Sequence, residues 1–301
     1  MNGSVISASA LRAAGTATLA RAGIDCAAVD AAWLLAHVLG TQPGRLLLID
    51  DVDAARRAEY EALIARRAER IPLQHLTATA HFAGVELAVG PGVFIPRPET
   101  ELLVEWAAGI CAREHFGAQT IRIADLCSGS GALALAIATA VPRARVIAVE
   151  RSPEALAYLR RNVAAQPGGV SERVRVVAGD VTDPGVWELI GPCEVIVSNP
   201  PYVPASSLVS PEVGHDPAEA VFSGESGMDV ITAMVPLIAG SLVPGGTVAI
   251  EHDDTTGGRT RDVFGADGAF TEVVGHDDLA GRPRYVTARR RPVTAVQGWN
   301  A

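Results

Sequence analysis

Four consecutive residues near position 200 combine groups that could hold a planar amine. An apolar stretch ends there in Asn199, Pro200, Pro201 and Tyr202. Two successive prolines make a stiff turn with few N–H donors and free carbonyl acceptors, while Asn199 adds a side-chain carbonyl and Tyr202 a flat aromatic face. Together these groups suit a planar group that carries NH2, held through both hydrogens and stacked on the ring. A strand-end turn with a packed tyrosine is the plainer alternative.

A second candidate site lies upstream, where a predicted strand ends in Asp125 and continues through small residues into a helix. Gly129 and Gly131 allow a tight turn and the close approach of a ligand, and the start of the helix offers unpaired N–H groups to an anion or carboxylate. Glu150, at the end of the next predicted strand, is placed to accept hydrogen bonds from the two hydroxyls of a ribose. The pattern indicates a nucleoside-containing cofactor.

This loop alone leaves the cofactor open. The spacing of Gly129, Gly131 and Ala134 also satisfies the fingerprint of dinucleotide-binding folds, and a glycine-rich turn without a ligand is a third possibility. Asp125 favours S-adenosylmethionine, because a carboxylate at this position would repel a pyrophosphate but suit the cofactor's ammonium group. The motif at residues 199–202 further disfavours a nicotinamide cofactor.

These residues need a framework that brings the ends of strands together. Between residues 101 and 291, seven short apolar strands, the first two at 121–126 and 145–150, alternate with helical patterns that include 131–141, 153–165 and 228–242. This alternation predicts an α/β fold, a Rossmann-like domain with a mostly parallel, doubly wound seven-stranded sheet covered by helices.

The remaining segments have a different character. Residues 1–72 show helical spacing of apolar residues and predict a small all-α domain. Residues 73–100 carry β-forming and turn residues, which predict a β-hairpin linker that turns at Gly84. Residues 292–301, rich in polar and turn-forming types, are predicted to form a flexible tail.

The composition excludes several mechanisms. All 25 basic residues are arginine, which rules out a Walker-type phosphate loop and catalysis through a lysine Schiff base. The net charge of −9 comes from the part after residue 70, because the first 70 residues hold eight acidic and eight basic side chains. An acidic catalytic domain argues against naked nucleic acid as the main ligand and suits a basic protein partner.

Cysteine usage and hydropathy indicate a cytoplasmic protein. The four cysteines lie far apart without a Cys-x-x-Cys pair, so the sequence predicts reduced thiols and neither a zinc site nor a disulfide framework. The longest strongly apolar stretch is too short for a membrane span, and we expect no membrane association. Glu251, His252, Asp253 and Asp254 could suggest a metal cluster, but neighbours on a strand point to opposite faces. We therefore interpret them as a solvated strand end and predict no metal.

The motif at residues 199–202, following a glycine-rich cofactor loop, resembles the class I methyltransferases that alkylate planar nitrogen. These comprise adenine-N6, guanine-N2 and protein glutamine-N5 enzymes. Residues 94–101, Phe-Ile-Pro-Arg-Pro-Glu-Thr-Glu, resemble the signature of the release factor glutamine methyltransferases, the HemK or PrmC family, and the similarity extends over nearly the whole chain. The resemblance implies methyl transfer from S-adenosylmethionine, with S-adenosylhomocysteine as product, to the glutamine of the Gly-Gly-Gln motif of class I release factors. It implies no direct nucleic-acid partner.

Residue roles follow from this resemblance. The cofactor would be bound by the loop Cys127, Ser128, Gly129, Ser130 and Gly131, by Asp125, by Glu150 at the ribose, by Asp180 and Val181 on the adenine side, and by Asn199. The substrate amide would be held by Asn199, Pro200, Pro201 and Tyr202, with Asn199, Pro200 and Tyr202 as the catalytic groups, and Arg97, Pro98 and Glu99 would shape the entrance.

Three positions depart from the family pattern. Cys127 stands where glycine is common, Glu150 where aspartate is frequent, and residues 251–253 where Glu-Ile-Gly is common. A residue with a Cβ tolerates positive φ poorly, so we expect Cys127 to restrict the loop backbone slightly. Two rivals remain at this stage: a methyltransferase acting on an exocyclic amine of a nucleic acid (adenine-N6 or guanine-N2), and a non-catalytic binding module.

Overall fold

The protein divides into two compact units. The structure is a computed structural model and describes residues 6–114 and 120–292. One unit comprises Met1–Thr79, Val89–Pro91 and Val209–His215, and the other comprises Ala80–Ala88, Gly92–Leu208 and Asp216–Ala301. The predicted tail, apart from residue 292, lies outside the described residues. The domain boundaries at residues 72, 100 and 291 stay predictions.

The smaller unit is helical. Its elements are β1 (Ile6–Ser7), α1 (Ala8–Arg21), α2 (Ala27–Val38), a 3-10 helix (Pro43–Leu48), β2 (Asp51–Val52), α3 (Ala54–Ala68) and α4 (Leu73–Thr77). Ser7 and Asp53 cap the helices α1 and α3, because their side chains accept the N–H groups of Ala10 and Arg56. The two short strands pair antiparallel. Apolar side chains from the four helices form one buried cluster, so packing rather than helix propensity holds this unit together.

A β-hairpin follows the helical segment. Its strands are β3 (Thr79–Phe82) and β4 (Val85–Ala88). The turn between them passes through Ala83 and Gly84, both with positive φ, which confirms the predicted turn at Gly84. Residues 73–77, which the sequence analysis placed in the linker, form α4 and contact the other helices.

The larger unit alternates strands and helices. In chain order it contains a 3-10 helix (Pro98–Thr100), α5 (Glu101–Arg113), β5 (Ile121–Leu126), α6 (Ala132–Ala140), β6 (Ala144–Glu150), α7 (Pro153–Ala165), a 3-10 helix (Ser171–Arg173), β7 (Val174–Ala178), α8 (Pro184–Ile190), β8 (Cys193–Ser198), α9 (Ala218–Val221), α10 (Asp229–Ser241), β9 (Leu242–Glu251), α11 (Gly257–Asp267), β10 (Phe270–Asp277) and β11 (Pro283–Arg290). A further 3-10 helix, Val213–His215, belongs to the segment that packs with the helical unit. Within the described residues, no helix is long and apolar enough to cross a membrane.

The strands of this unit form one sheet in the order β10-β11-β9-β8-β5-β6-β7. The strands β9, β8, β5, β6 and β7 run parallel, and β11 lies antiparallel to both of its neighbours. The predicted seven-stranded, mostly parallel sheet is therefore confirmed. The chain moves outward from β5 through β6 and β7, then returns to add β8 on the other side of β5. Ligands of such sheets bind at this reversal, beyond the carboxyl ends of the two strands.

Burial on both faces of the sheet explains why the central strands are apolar along their whole length. Every residue of β8 is buried, and so is every residue of β5 except Arg122. The sequences of such strands are continuous apolar runs, because helices cover both sides of a parallel sheet. At their carboxyl ends Leu126 pairs with Ser198, and the Ser198 hydroxyl donates to the Leu126 carbonyl at 2.8 Å. This bond fixes the two strand ends from which the candidate site residues emerge.

Candidate active site

The glycine-rich loop between β5 and α6 is held by backbone hydrogen bonds. The Ser128 N–H donates to the Val149 carbonyl at 2.9 Å, and the Gly131 N–H donates to the Ser128 carbonyl at 2.8 Å. A Cβ on Gly131 would lie 2.6 Å from a Leu159 methyl, whereas the space beside Gly129 is open. The loop therefore presents bare backbone at Gly129, where a ligand could approach closely.

Cys127 adopts a left-handed backbone conformation with φ of 60°. Glycine would be unstrained in this conformation, and the expected restriction of the loop backbone by Cys127 stays a prediction. For a non-glycine residue the conformation costs about 1–2 kcal/mol. The Cys127 side chain packs against the apolar core, and burial raises the pKa of its thiol. The thiol is therefore a neutral packing group at physiological pH.

Asp125 is buried at the end of β5 with one oxygen unsatisfied. Its Oδ2 accepts the Ala134 N–H at 3.1 Å, in the first turn of α6. Its Oδ1 has no hydrogen-bond partner among the described residues, although the side chain is fully buried. Burial raises the pKa of Asp125 to about 7. A buried acceptor without a donor is costly, so this oxygen fits a ligand that brings a cationic donor.

Glu150 joins the second strand to the loop. Its Oε2 accepts the Gly129 N–H at 2.8 Å, and its Oε1 accepts the N–H groups of Arg151 and Ser152, each at 2.8 Å. Two carboxylate oxygens can accept about four hydrogen bonds, so capacity for a further donor remains. The Gly129 contact places this carboxylate directly beside the loop, and its role at a ribose stays a prediction.

Two residues after β7, Asp180 and Val181, were predicted to contact the adenine of the cofactor, and their surroundings differ. Asp180 Oδ1 accepts hydrogen bonds from the N–H and the hydroxyl of Thr182, and Asp180 Oδ2 accepts from the Arg151 guanidinium at 3.0 Å. Burial alone would raise the pKa of Asp180, but the hydrogen bonds from Thr182 and Arg151 outweigh it and lower the pKa. The Val181 side chain is part of the buried core, and its carbonyl accepts from the Trp187 indole at 2.9 Å. Only the backbone of Val181 could therefore contribute to a cofactor site.

The motif at residues 199–202 continues directly from β8. The Asn199 Nδ2 group donates to the Thr100 hydroxyl at 3.0 Å, and Pro200 and Pro201 are buried. The Tyr202 hydroxyl donates to Glu251 Oε1 at 2.8 Å. Among the described residues no donor binds Asn199 Oδ1, so this oxygen is available as an acceptor while the amide nitrogen is engaged. The structure thus brings the two predicted catalytic side chains into one rigid turn.

The predicted entrance residues behave differently from one another. The Arg97 guanidinium forms an ion pair with the buried Asp216 and lies 5.0 Å from the centre of the Phe94 ring. Asp216 also accepts the Ile95 N–H at 3.1 Å. Arg97 is therefore an anchor of the segment 94–101. Pro98 and Glu99 are exposed, and their part in substrate entry stays a prediction.

Sequence reasoning missed several contacts and misjudged one cluster. Thr100 is buried within the recognised signature, yet no local pattern links it to Asn199, which lies 99 residues away. The interpretation of residues 251–254 as a solvated strand end is wrong for Glu251 and His252, each 1% exposed. Both are covered by neighbouring segments, because the Tyr202 hydroxyl binds Glu251 and Gly257 lies against the His252 ring. Within the described part of the chain, no group of three His, Cys, Asp or Glu residues could hold a metal ion.

Comparisons with known proteins find family profiles and relatives that match residues of both units. Residues 10–77 match the family profile described as PrmC N-terminal domain, and residues 109–216 match the profile described as Methyltransferase small domain. The chain is 53% identical over 279 residues to the release factor glutamine methyltransferase of Mycolicibacterium smegmatis, covering 92% of this chain and 95% of that protein. It is 45% identical over 280 residues to the protein of the same name from Mycobacterium tuberculosis H37Rv, covering 91% of this chain and 88% of that protein.

Solved structures show the fold. A methyltransferase from Pyrococcus furiosus aligns with a TM-score of 0.50 at 19% identity, covering 70% of this chain and 90% of that chain. At this level of identity the similarity supports the fold alone.

Proposed function

The chain belongs to the release factor glutamine methyltransferase family, and from this premise we propose its substrate, cofactor and site. It transfers the methyl group of S-adenosylmethionine to the N5 amide nitrogen of the glutamine in the Gly-Gly-Gln motif of class I release factors, and S-adenosylhomocysteine is the second product. The observation that carries this proposal is the Asn199 amide, whose nitrogen is bound to Thr100 and whose oxygen is left to accept from a substrate. The cytoplasm is the proposed location of the enzyme, because release factors act there.

The residues at the sheet reversal fit S-adenosylmethionine. Asp125 Oδ1 is a buried acceptor without a partner among the described residues, as the cofactor's ammonium group requires. Glu150 lies against the loop at Gly129, at the distance of a hydrogen bond, and is assigned to the ribose hydroxyls. Asp180 and the backbone of Val181 are assigned to the adenine side. S-adenosylmethionine supplies a methyl group already activated on a sulfonium.

The remaining residues of the loop complete the cofactor site. Residues 127–131 connect β5 to α6, and the cofactor's carboxylate is assigned to the backbone of this loop at the start of the helix. Ser128 donates its hydroxyl to the Asp125 carbonyl at 2.9 Å, and the Ser130 carbonyl accepts from Asn162 at 2.9 Å. These bonds hold the loop in shape, together with the N–H groups of Ser128, Gly129 and Gly131, which donate to Val149, Glu150 and Ser128.

The motif at residues 199–202 positions the nucleophile. An amide nitrogen is weakly nucleophilic because its lone pair is delocalised, so alignment and stabilisation of the developing charge must be supplied. Asn199 Oδ1 and the Pro200 carbonyl accept the two N–H bonds and direct the nitrogen toward the methyl group. As positive charge develops on nitrogen, both acceptors bind it more strongly. Tyr202 stacks on the amide plane, and the proton released from nitrogen leaves to water.

The competing substrate is an exocyclic amine of a nucleic acid, which the same motif could hold. The names of the relatives and the net charge of −9 favour the protein substrate. Incubation with labelled S-adenosylmethionine and either a class I release factor or total RNA discriminates the two. We expect label in the release factor, and none in a release factor whose Gly-Gly-Gln glutamine is replaced by glutamate. Label in RNA, or label retained by the glutamate variant, would overturn the proposal.

A further inference from the structure

The catalytic turn, residues 199–202, has few backbone donors of its own. Its two prolines carry no N–H, so the first donors after them are the N–H groups of Tyr202 and Val203. Both donate to the same acceptor, the Val221 carbonyl, at 3.2 and 2.9 Å. The backbone that follows the two prolines is therefore attached to a segment that lies about twenty residues further along the chain.

This supporting segment, residues 221–227, runs alongside the continuation of the turn. The Ser223 N–H donates to the Val203 carbonyl at 3.0 Å, and the Ala205 N–H donates to the Gly224 carbonyl at 2.9 Å. A parallel β-bridge at Val203 adds to this pairing. These bonds hold the turn and the supporting segment together through their backbones.

Gly227, at the end of the supporting segment, lies directly against the Tyr202 carbonyl. A Cβ on Gly227 would stand 2.2 Å from that oxygen, whereas ordinary van der Waals contact begins at about 3.4 Å. Gly227 also has φ of 75°, in the left-handed region that favours glycine. The backbone of the turn can therefore occupy its position only because residue 227 has no side chain.

The supporting segment is itself anchored at the start of α10. The Ser223 hydroxyl accepts the Val230 N–H at 3.0 Å, and Ser223 is buried. Met228, which follows the segment, is part of the apolar core, and its carbonyl accepts the Thr232 N–H at 2.8 Å. The position of the catalytic turn is therefore set by a helix that contributes no residue to the turn.

The proposed reaction depends on where this backbone stands. The Pro200 carbonyl accepts one N–H of the substrate amide, and the Tyr202 ring stacks on the amide plane. Only one residue, a proline of restricted φ, separates the two groups, so a displacement of Tyr202 is transmitted to the Pro200 carbonyl. A misplacement of about 1 Å can lower an enzymatic rate about a hundredfold.

We propose that Gly227 is a positioning residue for methyl transfer, because its lack of a side chain lets the supporting segment hold the Pro200 carbonyl and the Tyr202 ring against the substrate amide. The inference rests on the proposed function, since it presumes that these two groups bind the glutamine amide. Gly227 touches none of the reacting atoms and acts through the Tyr202 backbone.

Substitution of Gly227 by alanine provides the first test. At saturating S-adenosylmethionine, G227A is expected to lower kcat for methylation of the release factor about tenfold or more, because the added methyl group displaces the Tyr202 carbonyl by about 1 Å. KM for the release factor and the dissociation constant for S-adenosylmethionine should each change less than about threefold. A loss confined to kcat distinguishes misalignment of the turn from damage to the whole unit.

G281A is the matched control for backbone strain. Gly281 has φ of 77° in the turn between β10 and β11, and a Cβ there would have no atom of the described residues within 4 Å. Both variants force alanine into a left-handed conformation, but only the one at Gly227 collides with the catalytic turn. G281A should keep the kcat of the wild type.

S223A provides a second test that adds no side-chain atom. It removes the acceptor of the Val230 N–H at the start of α10, and we expect kcat to fall about threefold or more while cofactor affinity is retained. Its control is S241A, because Ser241 is also buried, lies at the other end of α10 and donates its hydroxyl to the Gly191 carbonyl at 2.6 Å. S241A should leave kcat unchanged.

A wild-type kcat in a folded G227A protein, or an equal loss of kcat in G281A, would overturn the inference. An equal weakening of cofactor binding and turnover in G227A would also overturn it. If G227A does not fold, a wild-type kcat in S223A refutes the inference. The methylated substrate is identified with the wild-type enzyme, so label in RNA would refute the proposed function independently of these variants.

Discussion

Asp125 combines complete burial with an oxygen that no described residue satisfies. Its pKa is raised from 3.8 to about 7 by burial, so the neutral form is favoured in the cofactor-free protein. The stability that this group contributes is therefore fully present below pH 3.8 and is lost as the pH rises through about 7. A bound ammonium group reverses the preference, because it stabilises the ionised carboxylate.

The affinity for S-adenosylmethionine is accordingly expected to rise with pH. Binding that requires ionised Asp125 should be about fivefold tighter at pH 7 than at pH 6, a range in which the cofactor's amino group stays mostly protonated. Calorimetric titration across this range measures how the affinity for S-adenosylmethionine changes with pH. D125N should bind the cofactor more weakly, and its affinity should not change with pH in this way. A wild-type affinity that does not change with pH, or a slope that persists in D125N, would contradict the ammonium assignment.

The sequence could predict only those features of the site that depend on residues adjacent in the chain. Gly129, Gly131 and the turn at residues 199–202 could be recognised because backbone freedom, stiff prolines and an amide acceptor are local properties. Thr100 and Glu251 could not be assigned, because their importance lies in contacts with Asn199 and Tyr202 that only the folded chain creates. The burial of Glu251 was misjudged because the alternation of faces along a strand does not reveal whether both faces are covered.

At the scale of elements, one side chain of α7 connects the hairpin to the cofactor loop. Asn162 Nδ2 donates to the carbonyls of Ala88 and Ser130 at 3.0 and 2.9 Å, and its Oδ1 accepts the Ala88 N–H at 2.8 Å. Asn162 is buried, so water cannot replace these bonds. Strand β4, helix α7 and the loop are thereby fixed in one arrangement.

Loss of this amide should loosen the cofactor loop. N162A leaves the Ala88 N–H and two carbonyls without partners, which is expected to cost about 2–4 kcal/mol of unfolding free energy and to weaken S-adenosylmethionine binding. Urea unfolding and calorimetric titration measure the two effects. R161A, at the exposed neighbouring position, serves as the control. Unchanged cofactor affinity in a folded N162A protein would show that the loop holds its shape without Asn162.

The elements that the sequence predicted best are those with a strong hydrophobic period. Strand β5, strand β6 and helix α7 lie where continuous apolar runs or amphipathic spacing placed them, because burial dictates both the run and the element. Helices α8 and α11 were not predicted. The first spans only seven residues and the second is rich in glycine and charge, so neither shows the pattern of an amphipathic helix.

At the scale of the whole molecule, the smaller unit contains a buried ion cluster. Arg67 of α3 donates to Asp30 of α2 at 2.7 Å and to Glu212 at 3.1 Å, and Arg70 also binds Glu212. Glu212 lies 11 residues beyond Pro201 in the chain and belongs to the segment 209–215, which packs with the helices. The helical unit is therefore tied to a segment that follows the catalytic turn in sequence.

Removal of Arg67 should destabilise this unit far more than removal of an exposed arginine. R67M leaves Asp30 buried and unpaired, which is expected to lower the unfolding free energy by about 3–5 kcal/mol. R57M is the matched control on the same helix, since Arg57 pairs with Glu61 on the exposed face and should cost less than about 1 kcal/mol. Denaturant unfolding followed by circular dichroism measures both. Similar losses in the two variants would mean that the buried cluster adds nothing beyond a surface pair.

The central claim is that Asn199 orients the glutamine amide for methyl transfer, and one comparison tests it most directly. Wild-type enzyme and N199A are each saturated with S-adenosylmethionine and mixed with a class I release factor, and mass spectrometry follows the methylated Gly-Gly-Gln peptide in a single turnover. We expect a rate at least about a hundredfold lower in N199A, with a cofactor dissociation constant within about twofold of wild type. Near-normal methylation of the glutamine by N199A would contradict it.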